Sequence, residues 1–172
     1  DTAARVQAAQ QEVKARLGDF QPCFLAGTSV LTSDGPRPIE CIEVGSRVLA
    51  ENPEVPGSRR AYEVLNLYRG HARELRHIVV EDTTITATLN HRFYVIDHGW
   101  VAARDLAEGD VLRTAAGGLA AIAAITDEHA AEDVATFNFH VAQVSTYFVG
   151  AGTSVLVHNA NPNFERTLWW LF

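Results

Sequence analysis

Methionine is absent from the 172 residues, lysine occurs once, at Lys14, and there are only two cysteines, Cys23 and Cys41. Each scarcity excludes something. With Asp1 at the start and no initiating Met, the sequence reads as a stretch cut from a longer polypeptide. Two cysteines cannot build a disulfide framework and no C-x-x-C pair offers zinc its usual spacing, so neither a metal nor a cofactor is expected. No apolar run approaches the length of a bilayer span, which argues against a membrane partner. The 14 basic residues, 13 of them Arg, face 21 acids for a net charge of -7, a balance that argues against a nucleic-acid partner. What remains, 47% hydrophobic and 20% charged, is the composition of a soluble globular chain, expected as a monomer and long enough to bury a core.

The texture changes along the chain. Residues 2 to 17 are rich in Ala, Gln, Arg and Glu, with Val6, Ala9, Val13 and Leu17 at helical spacing, and predict one short amphipathic helix stopped by Gly18. From residue 24 to 158 the chain breaks into short β-branched and aromatic runs: TSVLT, RVLA, YEVLNLY, LRHIVV, TITATL, RFYVI, ATFNFHV, TYFV and SVLVH. Turn chemistry separates them, as SDGP, NPEVPGS, DHG, EGD and AAGG. The expected fold class is therefore all-β, preceded by a short N-terminal helix. The final ANPNFERTLWWLF differs again and reads as the beginning of a downstream segment.

An internal comparison adds a long-range relation. Shifted by 64 residues, VLTSDGPRPIECIEVGS (30 to 46) lies over YVIDHGWVAARDLAEGD (94 to 110) without a gap, pairing Gly35 with Gly99, Ile42 with Leu106 and Gly45 with Gly109. One turn type used twice is the plain explanation. A duplication giving two related β subunits about a pseudo-two-fold axis is the sharper one, and the one we expect.

Three positions carry chemistry. Cys23 stands directly after Pro22 at the junction between helical flank and first β run, whereas Cys41, inside PIECIEV, reads as a small apolar filler. Thr88-Leu89-Asn90-His91 supplies a T-x-x-H, and the 64-residue shift lays Cys23 over Ala87 beside it. His158-Asn159 ends the last β run. An Asn side-chain amide can reach its own main-chain carbonyl, closing a succinimide and expelling the next residue's nitrogen. A neighbouring His can donate to that carbonyl or to the leaving amine. An HN dipeptide alone is usually a surface turn; here it coincides with a domain edge, as Cys23 does at the other end. His71, His77, His98 and His129 lack ligand spacing and read as surface residues.

The stretches CFLAGTSVLTSDGPRPIECIEVGSRVL, TATLNHRFYVIDHGWVAARDLAEGDVL and TFNFHVAQVSTYFVGAGTSVLVHNA together resemble a Hint domain. This is the horseshoe of short strands shared by inteins, bacterial intein-like proteins and hedgehog autoprocessing domains. Within that group the pretoxin Hint of polymorphic toxins is most similar. The resemblance covers residues 23 to 159, leaving 1–22 as an upstream flank and 160–172 as the start of a downstream one. It implies that Cys23 is a nucleophile for an N-to-S acyl shift onto the Pro22 carbonyl, uphill unless the amide is twisted out of resonance. It implies that His91 hydrogen-bonds and protonates the Cys23 nitrogen, and that Thr88 orients this His or helps hold the oxyanion. His158 and Asn159 would cut the Asn159–Ala160 bond. The implied partners are the flanking polypeptides themselves, a secreted or surface-delivered carrier upstream and an effector downstream.

The departures shape the expectation. Inteins need Cys, Ser or Thr after the terminal Asn; Ala160 stands here, so ligation of the flanks should fail. His91-Arg92-Phe93 replaces a frequent His-Pro-Phe. Asn138 occupies a position where inteins commonly carry a functional Asp, and it can only hydrogen-bond. Ser145 stands where relatives have His, and His140, on the strand face of Asn138, is a candidate substitute. Single-turnover self-cleavage releasing the C-terminal segment is the expected function. The alternatives are full splicing, a hedgehog-like transfer to a sterol, or an inactive Hint scaffold that links carrier and effector.

Overall fold

The computed structural model describes residues 2–8 and 22–159. Residues 2–8 are helical and exposed. The rest of the helix expected over 2 to 17 and the tail from Ala160 onward lie outside the described residues. From Phe24 the chain is strand after strand: β1 (Phe24–Leu25), β2 (Ser29–Thr32), β3 (Gly35–Pro38), β4 (Arg47–Ala50), β5 (Arg60–Val80) and β6 (Thr83–Thr88). Then follow β7 (Arg92–Val95), β8 (Gly99–Ala102), β9 (Val111–Arg113), β10 (Leu119–Val141), β11 (Thr146–Val149) and β12 (Val155–His158). Hydrogen bonds order them β11-β12-β7-β9-β10-β1-β6-β5-β4-β2-β3, with β8 beside β7, and a β11–β2 pairing closes the path into a horseshoe. β3, with two prolines, pairs only with β2, the edge position where a missing N–H costs nothing.

The 64-residue repeat is structural. β3 and β8 start at Gly35 and Gly99, and the 3₁₀ turns after them, Ile39–Cys41 and Ala103–Asp105, are offset by the same amount. Gly45 and Gly109 both have φ near +90°, at 90° and 87°, where a side chain is strained. Their N–H groups donate to Val64 and Ile122, which return N–H bonds to Ser46 and Asp110. The long equivalents β5 and β10 pair with each other antiparallel, as a two-fold axis between them requires.

Three expectations change. YEVLNLY and LRHIVV are parts of one strand, β5, continuous through RGHARE. Residues 119–134, LAAIAAITDEHAAEDV, carry none of the β runs and have a helix-favouring composition, yet they extend β10. Helix preferences amount to a few tenths of a kcal/mol per residue. Pairing along β5 and the burial of Ile122, which is worth about 1.5–3 kcal/mol, override them. Cys41 is exposed rather than a core filler, because the 3₁₀ turn sends Ile39 and Ile42 inward and the residues between them outward.

The core fills the horseshoe, with Phe24, Phe93, Phe139 and Tyr147 among its largest members. Phe24 meets Phe93 and Tyr147 edge to face, each at 6.2 Å between centroids. Those aromatics belong to strands from both halves, so the packing that closes the core also brings the chain's two candidate reaction points to one place.

Candidate functional site

β1 is only two residues long but is held on both sides, Phe24 opposite Phe137 of β10 and opposite Ala87 of β6. That grip buries Cys23 completely. Cys23 meets Thr88, the last residue of β6. The Cys23 carbonyl accepts the Thr88 N–H at 3.0 Å, and the Cys23 N–H donates to Thr88 Oγ1 at 3.0 Å. The Thr88 hydroxyl proton goes to Asn90 Oδ1 at 2.8 Å. Thr88 therefore holds the nitrogen of the Pro22–Cys23 peptide, and neither its oxygen nor its proton is directed at the carbonyl. That carbonyl, Pro22 O, is met instead by Asn138 Nδ2 at 2.5 Å. Burial pushes the Cys23 thiol up to about 11, against a hydrogen bond from Thr136 that lowers it, so the thiol rests protonated.

His91 is fully buried in the turn before β7, its ring 3.9 Å from that of Phe24. The expected bond to the Cys23 nitrogen is not made in this conformation. His91 Nε2 lies 3.0 Å from the His158 carbonyl oxygen, and Nδ1 has no hydrogen-bond partner. A carbonyl only accepts, so Nε2 carries the proton and Nδ1 presents a lone pair. Burial, reinforced by the nearby His158 and Arg92 and only partly opposed by that carbonyl, lowers the imidazole pKa to about 3 and keeps it neutral.

At the other end, β12 runs antiparallel to β11 with His158 opposite Thr146, and its Val157 lies opposite Phe93 of β7. His158 Nδ1 is 3.1 Å from the Asn159 carbonyl oxygen, the oxygen of the Asn159–Ala160 bond; Ala160 itself lies outside the described residues. Arg92 Nη2 approaches the same Nδ1 at 3.4 Å, and the Trp100 ring stands edge-on at 5.0 Å. Asn159 is buried, its N–H donating to the Ser145 carbonyl at 2.9 Å and its Nδ2 to the Val141 carbonyl at 3.4 Å. Ser145 thus contributes its backbone, in a left-handed conformation at φ 57°. His140 is half-buried next to the β10 irregularity at His140/Val141, with Nδ1 unpartnered and its pKa lowered by burial.

The site gathers Cys23, Thr88, His91, Asn138, His158 and Asn159 along one connected set of contacts. The remaining histidines lie apart: His71, His98 and His129 are exposed, and half-buried His77 bridges Thr86 and Glu128. Among the described residues no group of three or more His, Cys, Asp or Glu is arranged to hold a metal. Tyr147, whose hydroxyl donates to Asn138 Oδ1 at 2.7 Å, and Asn90 were not singled out by the sequence. Asn90 lies inside the T-x-x-H; Tyr147, in a TYFV run, looks like any core aromatic.

The pretoxin Hint family matches residues 29–160. The solution structure of a bacterial intein-like domain from Clostridium thermocellum is 38% identical, with a TM-score of 0.76 over 80% of this chain and 98% of that one. A DnaB intein from Synechocystis sp. PCC 6803 shares the fold at 18% identity, TM-score 0.68, over 81% of this chain and 99% of that one. The gp41-1 intein does so at 23% identity and TM-score 0.66, over 80% and 98%. No curated protein sequence matches. Intein-like Hint domains process their own polypeptide, which supports autoprocessing by this one in general. By its sequence over residues 29–160 and by its fold, the chain belongs to the pretoxin Hint domain family.

Proposed function

We propose that this domain is a single-turnover self-cleaving protein that cuts the Asn159–Ala160 bond and so releases a C-terminal effector from an upstream carrier. The observation that carries the reading is the contact of His158 Nδ1 with the Asn159 carbonyl oxygen at 3.1 Å. Asn159 Nδ2 attacks its own main-chain carbonyl carbon, a C–N bond forms in a five-membered succinimide, and the bond to the Ala160 nitrogen breaks. The Nδ2 proton leaves for the departing amine. With its Nδ1 protonated, His158 donates to that carbonyl oxygen and stabilises the charge that develops there. Burial of Asn159 excludes competing water.

Thioester formation at Cys23 is the companion step. Its Sγ attacks the Pro22 carbonyl carbon, the C–N bond of Cys23 breaks, and the thiol proton ends on the freed amine. Ligation of the flanks does not follow, since Ala160 offers no nucleophile to receive the acyl group. Intact mass measurement on the purified 172-residue chain tests the reading. The expected result is a cut after Asn159 that Asn159→Ala abolishes and Cys23→Ala leaves in place, and a separate cut before Cys23 that depends on added thiol. A wild-type chain still whole after long incubation would instead support an inactive scaffold.

A further inference from the structure

Asn138 has one side-chain orientation available. Its Oδ1 accepts the Phe139 backbone N–H at 2.8 Å and the Tyr147 hydroxyl at 2.7 Å, while Nδ2 donates to the Pro22 carbonyl at 2.5 Å. Flipping the amide would set its NH₂ against the Phe139 N–H, a group that can only donate, so Nδ2 has to face Pro22. Asn138 and Tyr147 are both buried, so water does not compete for these bonds. Burial, and then the nearby Cys23, push the Tyr147 phenol well above its ordinary value, which keeps it a donor. Thr88 is already committed to the nitrogen side of the same peptide, through the Cys23 N–H and Asn90.

We propose that Asn138 is the oxyanion donor for acyl shift at the Pro22–Cys23 peptide and that Tyr147 is the positioning residue that locks its amide. The proposal rests on the reading of Cys23 as nucleophile. As Sγ adds to the Pro22 carbonyl carbon, negative charge gathers on the oxygen that Nδ2 already touches. When the C–N bond breaks, its electron pair goes to the Cys23 nitrogen, which takes the proton given up by the thiol, and the oxygen returns to a thioester carbonyl. A preorganised donor at that oxygen is worth roughly 10²–10³ in rate. A carboxylate at 138 would repel the same charge, which gives the asparagine here a role that an ionised acid could not fill.

The test is the rate of cleavage before Cys23 in excess dithiothreitol, followed by intact mass on the 172-residue chain, for wild type, Asn138→Asp, Tyr147→Phe and the double variant. Asn138→Asp should slow this cut by about 10²–10³-fold at pH 8. Its deficit relative to wild type should shrink as pH falls and the introduced carboxyl protonates and can donate, a response that a merely structural role would not produce. Tyr147→Phe, which keeps the ring against Phe139, should slow the cut about tenfold, with no further loss when added to Asn138→Asp. It remains decisive where Asn138→Asp fails to fold, as judged by its amide NMR spectrum. Folded variants that cut at the wild-type rate, or a deficit independent of pH, overturn the proposal alone. A wild-type chain that makes no thiol-dependent cut overturns the Cys23 reading together with it.

Discussion

His91 donates from Nε2 to the backbone carbonyl of His158 at 3.0 Å while its ring lies 3.9 Å from that of Phe24, the residue after Cys23. One buried imidazole therefore touches the polypeptide next to both proposed scissile bonds, which enclose the 137 residues from Cys23 to Asn159. Its unpartnered Nδ1 is a lone pair in a dry core.

Replacing His91 should accordingly impair both cuts rather than one. His91→Ala is expected to slow the thiol-dependent cut before Cys23 by roughly 10²–10⁴-fold, the range for loss of a general acid–base group. The cut after Asn159 should slow by about tenfold, because the His158 carbonyl loses its donor and β12 its anchor. Intact mass time courses of the two cuts in one sample measure both. An effect confined to either end contradicts the shared position.

The same residue sets an acid limit on the fold. An unfolded imidazole takes a proton near pH 6.5, whereas folded His91 resists it down to about pH 3. Between these values protons bind the unfolded chain in preference, so stability is intact above pH 6.5 and falls by up to about 1.4 kcal/mol per pH unit below it. His91→Gln, which cannot titrate, should lose less stability than wild type between pH 7 and pH 4.5 in urea unfolding. Equal losses would mean that His91 is not the titrating group.

Cys23 and Cys41 should label very differently. Cys41 is exposed, whereas Cys23 is buried and its thiol is pushed up to about 11. With iodoacetamide at pH 7.5 the folded chain should take up one equivalent, at Cys41, and a second only after denaturation. Peptide mapping that finds Cys23 alkylated at a similar rate in the folded chain contradicts this.

Arg92 should tune the cut after Asn159. Burial lowers the His158 pKa, the Asn159 carbonyl opposes this, and the Arg92 guanidinium adds to the lowering. A protonated His158 is the stronger donor to that carbonyl, so cleavage should quicken as pH falls. Arg92→Gln removes the cation, lets His158 hold its proton to higher pH, and should move the whole rate profile upward in pH. An unchanged profile would separate Arg92 from the reaction.

Glu51 anchors the outer side of the site. Its buried carboxylate meets Arg113 at 2.6 Å and Arg59 at 3.0 Å, and its main chain exchanges hydrogen bonds with the hydroxyl of Thr146, the residue paired with His158. Burial pushes this carboxyl up, but Arg113 and Arg59 together hold it below the usual range. Glu51→Ala leaves two guanidiniums without their partner and should cost roughly 2–3 kcal/mol, less than a wholly enclosed pair because both arginines still reach solvent. Thermal unfolding checks this.

The sequence exposes what depends on local pattern. Cys23 and His158-Asn159 are visible because reactive residue types stand at the two ends of the β region, the T-x-x-H because it matches a family motif midway along it, and Gly45 and Gly109 because a positive φ favours glycine. Partner choice is not visible. That Thr88 holds the Cys23 nitrogen, that Asn138 holds the Pro22 oxygen and that Tyr147 locks Asn138 depend on how β1, β6, β10 and β11 stack in space. The strand over 119–134 was hidden for a similar reason, since its Ala- and acid-rich composition acquires strand structure only by pairing with β5.

The most direct test of self-cleavage is the intact mass of the wild-type chain against Asn159→Ala after equal incubation. The account predicts a fragment ending at residue 159, carrying succinimide or its hydrolysis product, in wild type and none in the variant. The same fragment from Asn159→Ala, or no fragment from wild type, would contradict it.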